Sequence, residues 1–167
     1  QNWFVKNLFN ILYDSDSNPR MFNFINDENI SINKRIGCDN ELVEPYAHNM
    51  WVNFQKKGEF QPLHIHSGVF SFVVWMEIPY HYKDESQLPF ARSVINEAYQ
   101  TGNFSFAYSD GGNRGIQTHT IQLSPDTNGH CCFFPSDLSH QVYPFYTSDK
   151  ERISISGNIR YRPIKLE

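Results

Sequence analysis

The sequence predicts a mainly β fold, a jelly-roll barrel with a flanking N-terminal helix. From residue 48 onward, short strand-like runs alternate with turns rich in Gly, Pro and Asn. Residues 69–78 form a near-continuous apolar run closed by Pro79, which is typical of a strand that is covered on both faces. Aromatic residues make up 16% of the chain and fall mostly in these runs. Many short strands without a helical half favour a sandwich or a barrel.

Length and spacing predict a single domain over residues 1–167. A chain of this size buries about two-thirds of its unfolded surface without disulfides or metals. Apolar residues recur at helical spacing over residues 3–12 and predict a packing helix there. We expect residues 1–47 to give helical and irregular support to a β-barrel core over residues 48–162. The chain opens on Gln1 inside the helical spacing, as a piece of a longer protein would.

Composition excludes several classes of partner. The net charge is -4, and the chain has no basic cluster larger than a pair such as Lys56 and Lys57, which gives no electrostatic footprint for nucleic acid. No apolar run approaches the roughly 18 residues that a membrane span needs. Three cysteines, with Cys131 and Cys132 adjacent, do not make a disulfide framework and favour a reducing compartment. We therefore expect a cytoplasmic protein, of a bacterium or of a phage-infected cell, without a membrane or nucleic-acid partner.

The predicted strands share apolar residues that alternate or run continuously, bounded by turn signals. They lie at residues 50–54, 61–66, 69–78, 117–123 and 130–134. A turn at Lys57 and Gly58 separates the first two. Two further segments, residues 141–146 and 152–160, are predicted to form a final hairpin around a turn at residues 147–150.

Residues 80–115 interrupt the strands with a long polar and aromatic segment. A short helix is predicted over residues 91–99, and a Gly-rich turn follows it. Loops of this length within a compact domain are usually functional or disordered. We interpret the segment as an insertion that forms a lid. The side chains predicted to line the substrate mouth are Tyr80, His81, Tyr82 and Arg114.

Three histidines form the predicted metal site. His64 and His66 lie two positions apart in an extended segment, so both side chains project from one face while Ile65 projects from the other. His140 opens a later β-rich run. Two histidines close in sequence and one distant are how a β-barrel builds a facial metal site with open positions. The third histidine weakens the alternative, in which the pair is simply polar surface on a solvated strand.

Arg152 and Ser154 are predicted to form a second site, which binds an anion. Strict alternation puts Arg152, Ser154 and Ser156 on one strand face and the isoleucines between them on the other. An inward-facing guanidinium needs an anionic partner, because an unpaired buried charge is unfavourable. Guanidinium pairs with carboxylate through two hydrogen bonds, and a nearby hydroxyl can donate to the same group, so a small dicarboxylate would satisfy both. In the alternative, the isoleucines face the core and Arg152 is solvated.

Together these residues resemble the Fe(II)- and 2-oxoglutarate-dependent oxygenases, in particular a small branch found in marine bacteria and phages. The resemblance spans roughly residues 51–160, with residues 80–115 as an insertion. It rests on an ordered set of motifs rather than on any one of them. The motifs are Trp51-Val52-Asn53, His64-x-His66 followed by Ser67-Gly68-Val69, Phe134-Pro135-Ser136-x-Leu138-x-His140, and Arg152-x-Ser154-x-Ser156-x-Asn158.

The resemblance implies a double-stranded β-helix that holds Fe(II) through the three histidines. It implies 2-oxoglutarate as co-substrate, chelating the metal at its keto-acid end and pairing through its distal carboxylate with Arg152 and Ser154. Asn53 lies where related enzymes place an asparagine that hydrogen-bonds the co-substrate. The implied reaction consumes O2, releases succinate and oxidises a prime substrate, with hydroxylation as the expected outcome. The protein supplies positioning and a dry cavity for chemistry that belongs to the iron.

One position departs from the usual pattern of these oxygenases. Their iron is usually held by two histidines and one carboxylate, but His66 stands where the carboxylate is expected. Three interpretations stay open: an active all-histidine site, a site completed by another carboxylate such as Glu77 or Asp84, and an inactive descendant. We favour the first, because His66 has the right strand parity and imidazole binds Fe(II) well. Glu77 lies at an odd offset from His66 and should face the other way.

Two other functions are compatible with the same residues. A metal-dependent cupin uses the same barrel, and Gly58 and Gly129 stand at cupin-like spacings before the histidine pair and Pro135. However, the glutamate that a cupin places after its second histidine is absent, and Arg152 has no role in that scheme. The other function is that of a non-catalytic jelly-roll binding module. No residue selects the prime substrate, although acidic charge mildly favours a peptide over other small molecules.

Overall fold

A computed structural model of the protein describes residues 43–91, 100–109 and 115–163. The helix predicted over residues 3–12 lies outside these ranges, as do Arg114 and nearly all of the second predicted helix. These features therefore stay predictions.

Eight strands in the described part of the chain confirm the mainly β prediction. They are β1 Val43–Gln55, β2 Gln61–His64, β3 Phe70–Glu77, β4 Phe104–Ser109, β5 Ile116–Ile121, β6 Cys131–Pro135, β7 His140–Val142 and β8 Arg152–Pro163. A single α-helical turn, α1, lies at Tyr82–Glu85, and a 3-10 turn at Pro125–Thr127 precedes β6. The strands form two four-stranded antiparallel sheets, in the orders β1-β8-β3-β6 and β2-β7-β4-β5. Because the chain changes sheet at nearly every connection, the architecture is a jelly roll.

Two compact units divide the chain. One comprises Asn49–Asn158, and the other combines Gln1–His48 with Ile159–Glu167. In the described part of the second unit, Arg162 Nη2 lies 2.7 Å from Glu44 Oε1. Every residue of the site treated below belongs to the Asn49–Asn158 unit.

The core of the Asn49–Asn158 unit is aromatic and lies between the two sheets. Phe104 and Phe106 of β4 point to the same face because side chains alternate along a strand. Ring centroids lie 6.1 Å apart for Trp75 and Phe104, and 5.1 Å apart for Phe106 and Phe134. All four side chains are buried. Burying each large apolar side chain contributes about 1.5–3 kcal/mol, so this cluster is a main source of the stability of the unit.

Residues 80–115 are not free of strands, and that part of the insertion prediction is wrong. The strand β4 lies within them and pairs with both β5 and β7. Phe104 and Phe106 do alternate with Ser105 and Ala107, but this period-2 signal covers only a few residues and is surrounded by polar sequence.

The predicted hairpin between the last two strands is also wrong. β7 belongs to the sheet with β2 and β4, whereas β8 belongs to the sheet with β1 and β3. The turn near residues 147–150 therefore connects two sheets rather than two paired strands. In a jelly roll, strands that follow each other along the chain commonly lie in opposite sheets, so nearness in sequence misleads here.

Glu85 at the end of α1 is fully buried. Its carboxylate accepts hydrogen bonds from the backbone N–H groups of Tyr146 and Thr147, at 2.9 and 2.7 Å, and from Thr147 Oγ1 at 2.5 Å. Charge-assisted bonds of this kind are stronger than neutral ones. Glu85 thus holds α1 against the connection between β7 and β8.

We expect Glu85→Gln to lower the free energy of unfolding by about 1–3 kcal/mol, because the amide presents a donor where the protein already offers donors. Urea denaturation at neutral pH measures the change. Asp84→Asn, the same change at an exposed neighbour, should stay within about 0.5 kcal/mol of the wild type. Equal losses in the two variants would contradict this role of Glu85.

Candidate metal and co-substrate site

His64 and His140 face each other across neighbouring strands. The antiparallel register of β2 and β7 pairs the two residues directly, and their ring centroids lie 4.3 Å apart. His66 follows the end of β2, where its backbone N–H donates to Ser136 O at 2.8 Å. Its ring centroid lies 5.1 Å from that of His64 and 5.0 Å from that of His140. The structure thus brings together the three predicted ligands, although His66 lies beyond the strand rather than within it.

Backbone carbonyls fix the tautomer of two of these imidazoles. His64 Nδ1 lies 2.6 Å from Pro62 O, and His140 Nδ1 lies 2.9 Å from Leu138 O. A carbonyl oxygen only accepts hydrogen bonds, so each Nδ1 must carry the proton and donate it. The lone pair then resides on Nε2. A histidine oriented in this way by its second nitrogen is the usual form of a metal ligand.

Burial keeps two of the three imidazoles, those of His66 and His140, neutral. His140 is 3% exposed, and desolvation lowers the pKa of its imidazole to about 4, against the opposing effect of the hydrogen bond to Leu138 O. Burial, and then the neighbouring His64, also lower the pKa of His66. Both rings are therefore neutral at pH 7, which is the form that binds a metal.

The donor set fits a transition metal. One ring nitrogen from each of His64, His66 and His140 can be chosen so that the three atoms lie within 4.8 Å of one another. Nitrogens on one face of an octahedral ion lie about 3 Å apart when each bond is about 2.1 Å, so binding requires the rings to draw together. Imidazole suits Fe, Zn, Cu and Ni, and the three rings do not choose among these metals by themselves.

Among the described residues, no carboxylate joins the three histidines in a group that could hold a metal. The group that could hold a metal there consists of the three histidines alone. Glu77 lines a surface depression with Lys57 and Asp149 instead, and Asp84 is exposed on α1. The interpretation in which Glu77 or Asp84 completes the site therefore has no support.

A cavity of about 390 Å³ adjoins the three histidines, which form part of its wall. Asn53, Arg152 and Ser154, which the resemblance implied as co-substrate contacts, all line it. Asn53 Nδ2 lies within hydrogen-bonding distance of Ser154 Oγ at 3.3 Å and of Ser156 Oγ at 3.2 Å. The rest of the wall is largely apolar, and its aromatic members are Trp51, Phe60, Phe72, Trp75, Phe104 and Phe134.

Arg152 is buried at 3% exposure, which excludes the solvated alternative. Its Nη1 donates to the Tyr80 hydroxyl and to Gly102 O, the latter at 3.0 Å. Its Nη2 donates to Gln55 Oε1 at 2.6 Å and to Tyr143 O at 3.0 Å. All four partners are neutral, so the expected anionic partner is not among these hydrogen-bonded groups. The guanidinium is well hydrogen-bonded, yet its charge is not neutralised by them.

The three predicted lid residues that the structure describes, Tyr80, His81 and Tyr82, do not line the cavity. Tyr80 is 4% exposed, stacks on Phe145 with centroids 4.6 Å apart, and donates to Gly102 O, so it is a core residue rather than part of a lid. His81 caps α1 by accepting from Lys83 N at 3.2 Å, and Tyr82 begins that helix. None of the three described lid candidates lines the 390 Å³ cavity.

The buried phenol of Tyr80 should make the free energy of unfolding fall at alkaline pH. Burial raises the pKa of its phenol to about 12, although Arg152 opposes the shift. A raised pKa stabilises the fold fully below the unfolded value of about 10 and loses that effect as pH rises towards 12. We expect the free energy of unfolding to fall by about 2–3 kcal/mol across this window on account of Tyr80.

Urea denaturation between pH 9 and pH 12 tests this expectation. Burial also raises the pKa of Cys132 to about 12, so the wild-type curve contains both effects. Tyr80→Phe removes the ionisable phenol and keeps the stacked ring, and the difference between the two curves isolates Tyr80. Parallel curves would mean that Tyr80 contributes nothing to the pH dependence.

Two residues near the site, Gln55 and Glu85, are not among the predicted site residues. Gln55 is 6% exposed, lines the cavity and contacts Arg152. Its strand parity with Asn53 could have found it, because the two residues lie two positions apart on β1. Glu85 had no comparable signal, since it lies in a short turn of helix within polar sequence.

Two antiparallel sheets around a cavity lined by three convergent imidazoles define a jelly-roll protein with a candidate metal site. Residues 49–158 match the model of the family described as "Putative 2OG-Fe(II) oxygenase". Because this match covers more than half of the 167-residue chain, the protein belongs to that family.

Other comparisons add less. Among solved structures, the chain is similar to a cupin domain from Bordetella pertussis Tohama I at 19% identity. That similarity covers 71% of this chain and 93% of the other, with a TM-score of 0.33. No curated protein matches the chain. Within the described ranges, every helix is too short or too polar to cross a bilayer.

Proposed function

We propose that this protein is an Fe(II)- and 2-oxoglutarate-dependent oxygenase of the hydroxylase type. The observation that carries the proposal is that one cavity is lined both by three convergent imidazoles and by a buried guanidinium whose hydrogen-bond partners are neutral. Neutral imidazoles bind Fe(II), and a buried cation is stabilised by an anion. 2-Oxoglutarate offers a keto acid for the metal and a distal carboxylate for the cation. Membership of the oxygenase family supports the same function.

Each residue has a defined task in this proposal. The Nε2 atoms of His64 and His140 and one ring nitrogen of His66 hold the metal, while Arg152 and Ser154 bind the distal carboxylate. Bound iron supplies the activation of O2 that couples decarboxylation of 2-oxoglutarate to oxidation of the prime substrate. The aromatic wall of the cavity excludes water from the reacting groups.

A peptide is the prime substrate that we propose. Phe60 is an apolar side chain that is 49% exposed and also lines the cavity. An exposed apolar group beside a polar site suits a substrate that presents both backbone and apolar side chains. A small metabolite without apolar groups would make no use of it.

An anaerobic titration tests the function. Metal-free protein is titrated first with Fe(II) and then with 2-oxoglutarate, and the weak visible charge-transfer band of the iron chelate is recorded. We expect stoichiometric iron binding and a band that saturates with 2-oxoglutarate. Succinate release on exposure to O2 and a peptide library then identifies the substrate.

The titration also separates the competing functions. All four hydrogen atoms on the terminal nitrogens of Arg152 already have protein partners, which favours a 2-oxoglutarate-independent metal cupin as the second candidate. Iron binding without the band would support that cupin. If the protein does not bind iron, the result would support a function as a non-catalytic binding module.

A further inference from the structure

We infer that Gln55 determines the affinity and the chain-length specificity of the co-substrate site, because its amide oxygen holds the hydrogen-bond position on Arg152 that an incoming carboxylate must take. This inference rests on the proposed function and deepens it. It names a residue that competes with the co-substrate and predicts which dicarboxylates the site accepts.

Gln55 is the partner of Arg152 on the cavity side. Of the four acceptors around the guanidinium, those of Tyr80, Gly102 and Tyr143 belong to residues outside the cavity wall. Gln55 lines the cavity together with Arg152. A ligand that enters the cavity therefore reaches the guanidinium where Gln55 Oε1 now lies, 2.6 Å from Nη2.

The orientation of the Gln55 amide is determined at both ends. Its Nε2 donates to Glu59 O at 2.5 Å, in the turn that follows β1, while its Oε1 accepts from Arg152. A flipped amide would set its nitrogen against a guanidinium donor and its oxygen against a carbonyl acceptor. The amide oxygen consequently occupies the place of one carboxylate oxygen, with the shape of a carboxylate but without its charge.

A carboxylate can displace this amide. A hydrogen bond between guanidinium and carboxylate is charge-assisted and about twice as strong as one to a neutral amide. The bond lost by Gln55 reduces the net gain, so the native affinity is lower than that of a free guanidinium. Because the side chain fills space at the Arg152 end of the cavity, it also limits how long a bound dicarboxylate can be.

Two substitutions of Gln55 have opposite expected effects. Gln55→Glu has nearly the same shape but supplies a permanent carboxylate to Arg152, and we expect 2-oxoglutarate to bind about ten- to a hundredfold more weakly. Gln55→Ala removes the competitor and opens space, and we expect 2-oxoglutarate to bind about two- to tenfold more tightly. The alanine variant should also bind 2-oxoadipate, one methylene longer, better relative to 2-oxoglutarate than the wild type does.

Calorimetric titration of the Fe(II)-loaded proteins under nitrogen measures these affinities without turnover. Gln122→Glu, the same change at an exposed glutamine, should leave both affinities at the wild-type value. Iron stoichiometry and thermal melting establish that each variant is folded and loaded. 2-Oxobutyrate, which has the keto acid but no distal carboxylate, should bind the wild type and both Gln55 variants equally.

The outcomes separate this inference from the proposed function. If the wild type binds 2-oxoglutarate and both Gln55 variants bind it with wild-type affinity, the role of Gln55 is refuted while the function stands. Weaker binding by Gln55→Ala would also refute it, because Gln55 would then be a ligand of the co-substrate rather than its competitor. If the iron-loaded wild type binds no dicarboxylate, the function and the inference both fall.

Discussion

Replacing His140 by alanine is expected to abolish stoichiometric metal binding. The substitution removes one of three ligands, and the two histidines that remain cannot form a facial three-nitrogen site. Mutation of groups that merely orient ligands weakens metal binding by about 10–100-fold, so loss of a ligand should exceed that range. Equilibrium dialysis against Fe(II) under nitrogen, followed by metal analysis, measures the effect, and His64→Ala should behave in the same way.

His130→Ala is the matched control, because His130 is exposed just before β6 and lies outside the histidine cluster. It should retain iron. Since removing the buried His140 ring also leaves a cavity, His140→Gln provides a variant of closer volume, and thermal melting of the metal-free proteins verifies folding. Full iron occupancy in both His64→Ala and His140→Ala would overturn the ligand assignment.

Replacing Arg152 by alanine is expected to weaken 2-oxoglutarate binding by about 2–5 kcal/mol, which is the usual loss when one partner of a buried charge pair is truncated. The neutral groups around Arg152 would offer the distal carboxylate no positive charge. The charge-transfer band of the iron chelate, titrated anaerobically, gives the affinity. Ser154→Ala should lose less, since a single neutral hydrogen bond contributes about 0.5–1.5 kcal/mol.

Iron binding provides the folding control for this variant, because the histidines lie on β2, on β7 and just beyond β2, whereas Arg152 begins β8. Arg160→Ala removes an arginine from the same strand outside the cavity and should keep the wild-type affinity. A 2-oxoglutarate affinity that survives Arg152→Ala would mean that the guanidinium is purely structural. Arg152 would then act only by linking Gln55, Tyr80, Gly102 and Tyr143 through its four hydrogen bonds.

Short-range periodicity was enough to predict the parts of the site that lie on strands. His64, Arg152 and Ser154 follow from period-2 alternation, and their placement along the cavity wall agrees with it. The same rule gave a mainly β fold, because strand patterns depend on neighbours two residues apart. It failed for β4, where the alternating segment is only six residues long and is surrounded by polar sequence.

Contacts over long sequence separations could not be predicted in this way. The partners of Arg152 come from Gln55, Tyr80, Gly102 and Tyr143, which no local pattern connects. Strand alternation predicts an anion beside the guanidinium, whereas neutral acceptors already bind all four hydrogen atoms on its terminal nitrogens. Similarly, the polar neighbours of Tyr80 predict that it belongs to a lid, whereas its own ring packs on Phe145.

The orientation of His64 and His140 by main-chain carbonyls has a consequence for how this site can change over evolution. Pro62 O and Leu138 O are present whatever side chain occupies either position, so no substitution at these positions deletes either acceptor. Only a shift in the path of β2 or β7 would misdirect the imidazoles. Relatives could therefore diverge widely in the residues around the metal and still inherit correctly aimed ligands, provided that the strand register is kept.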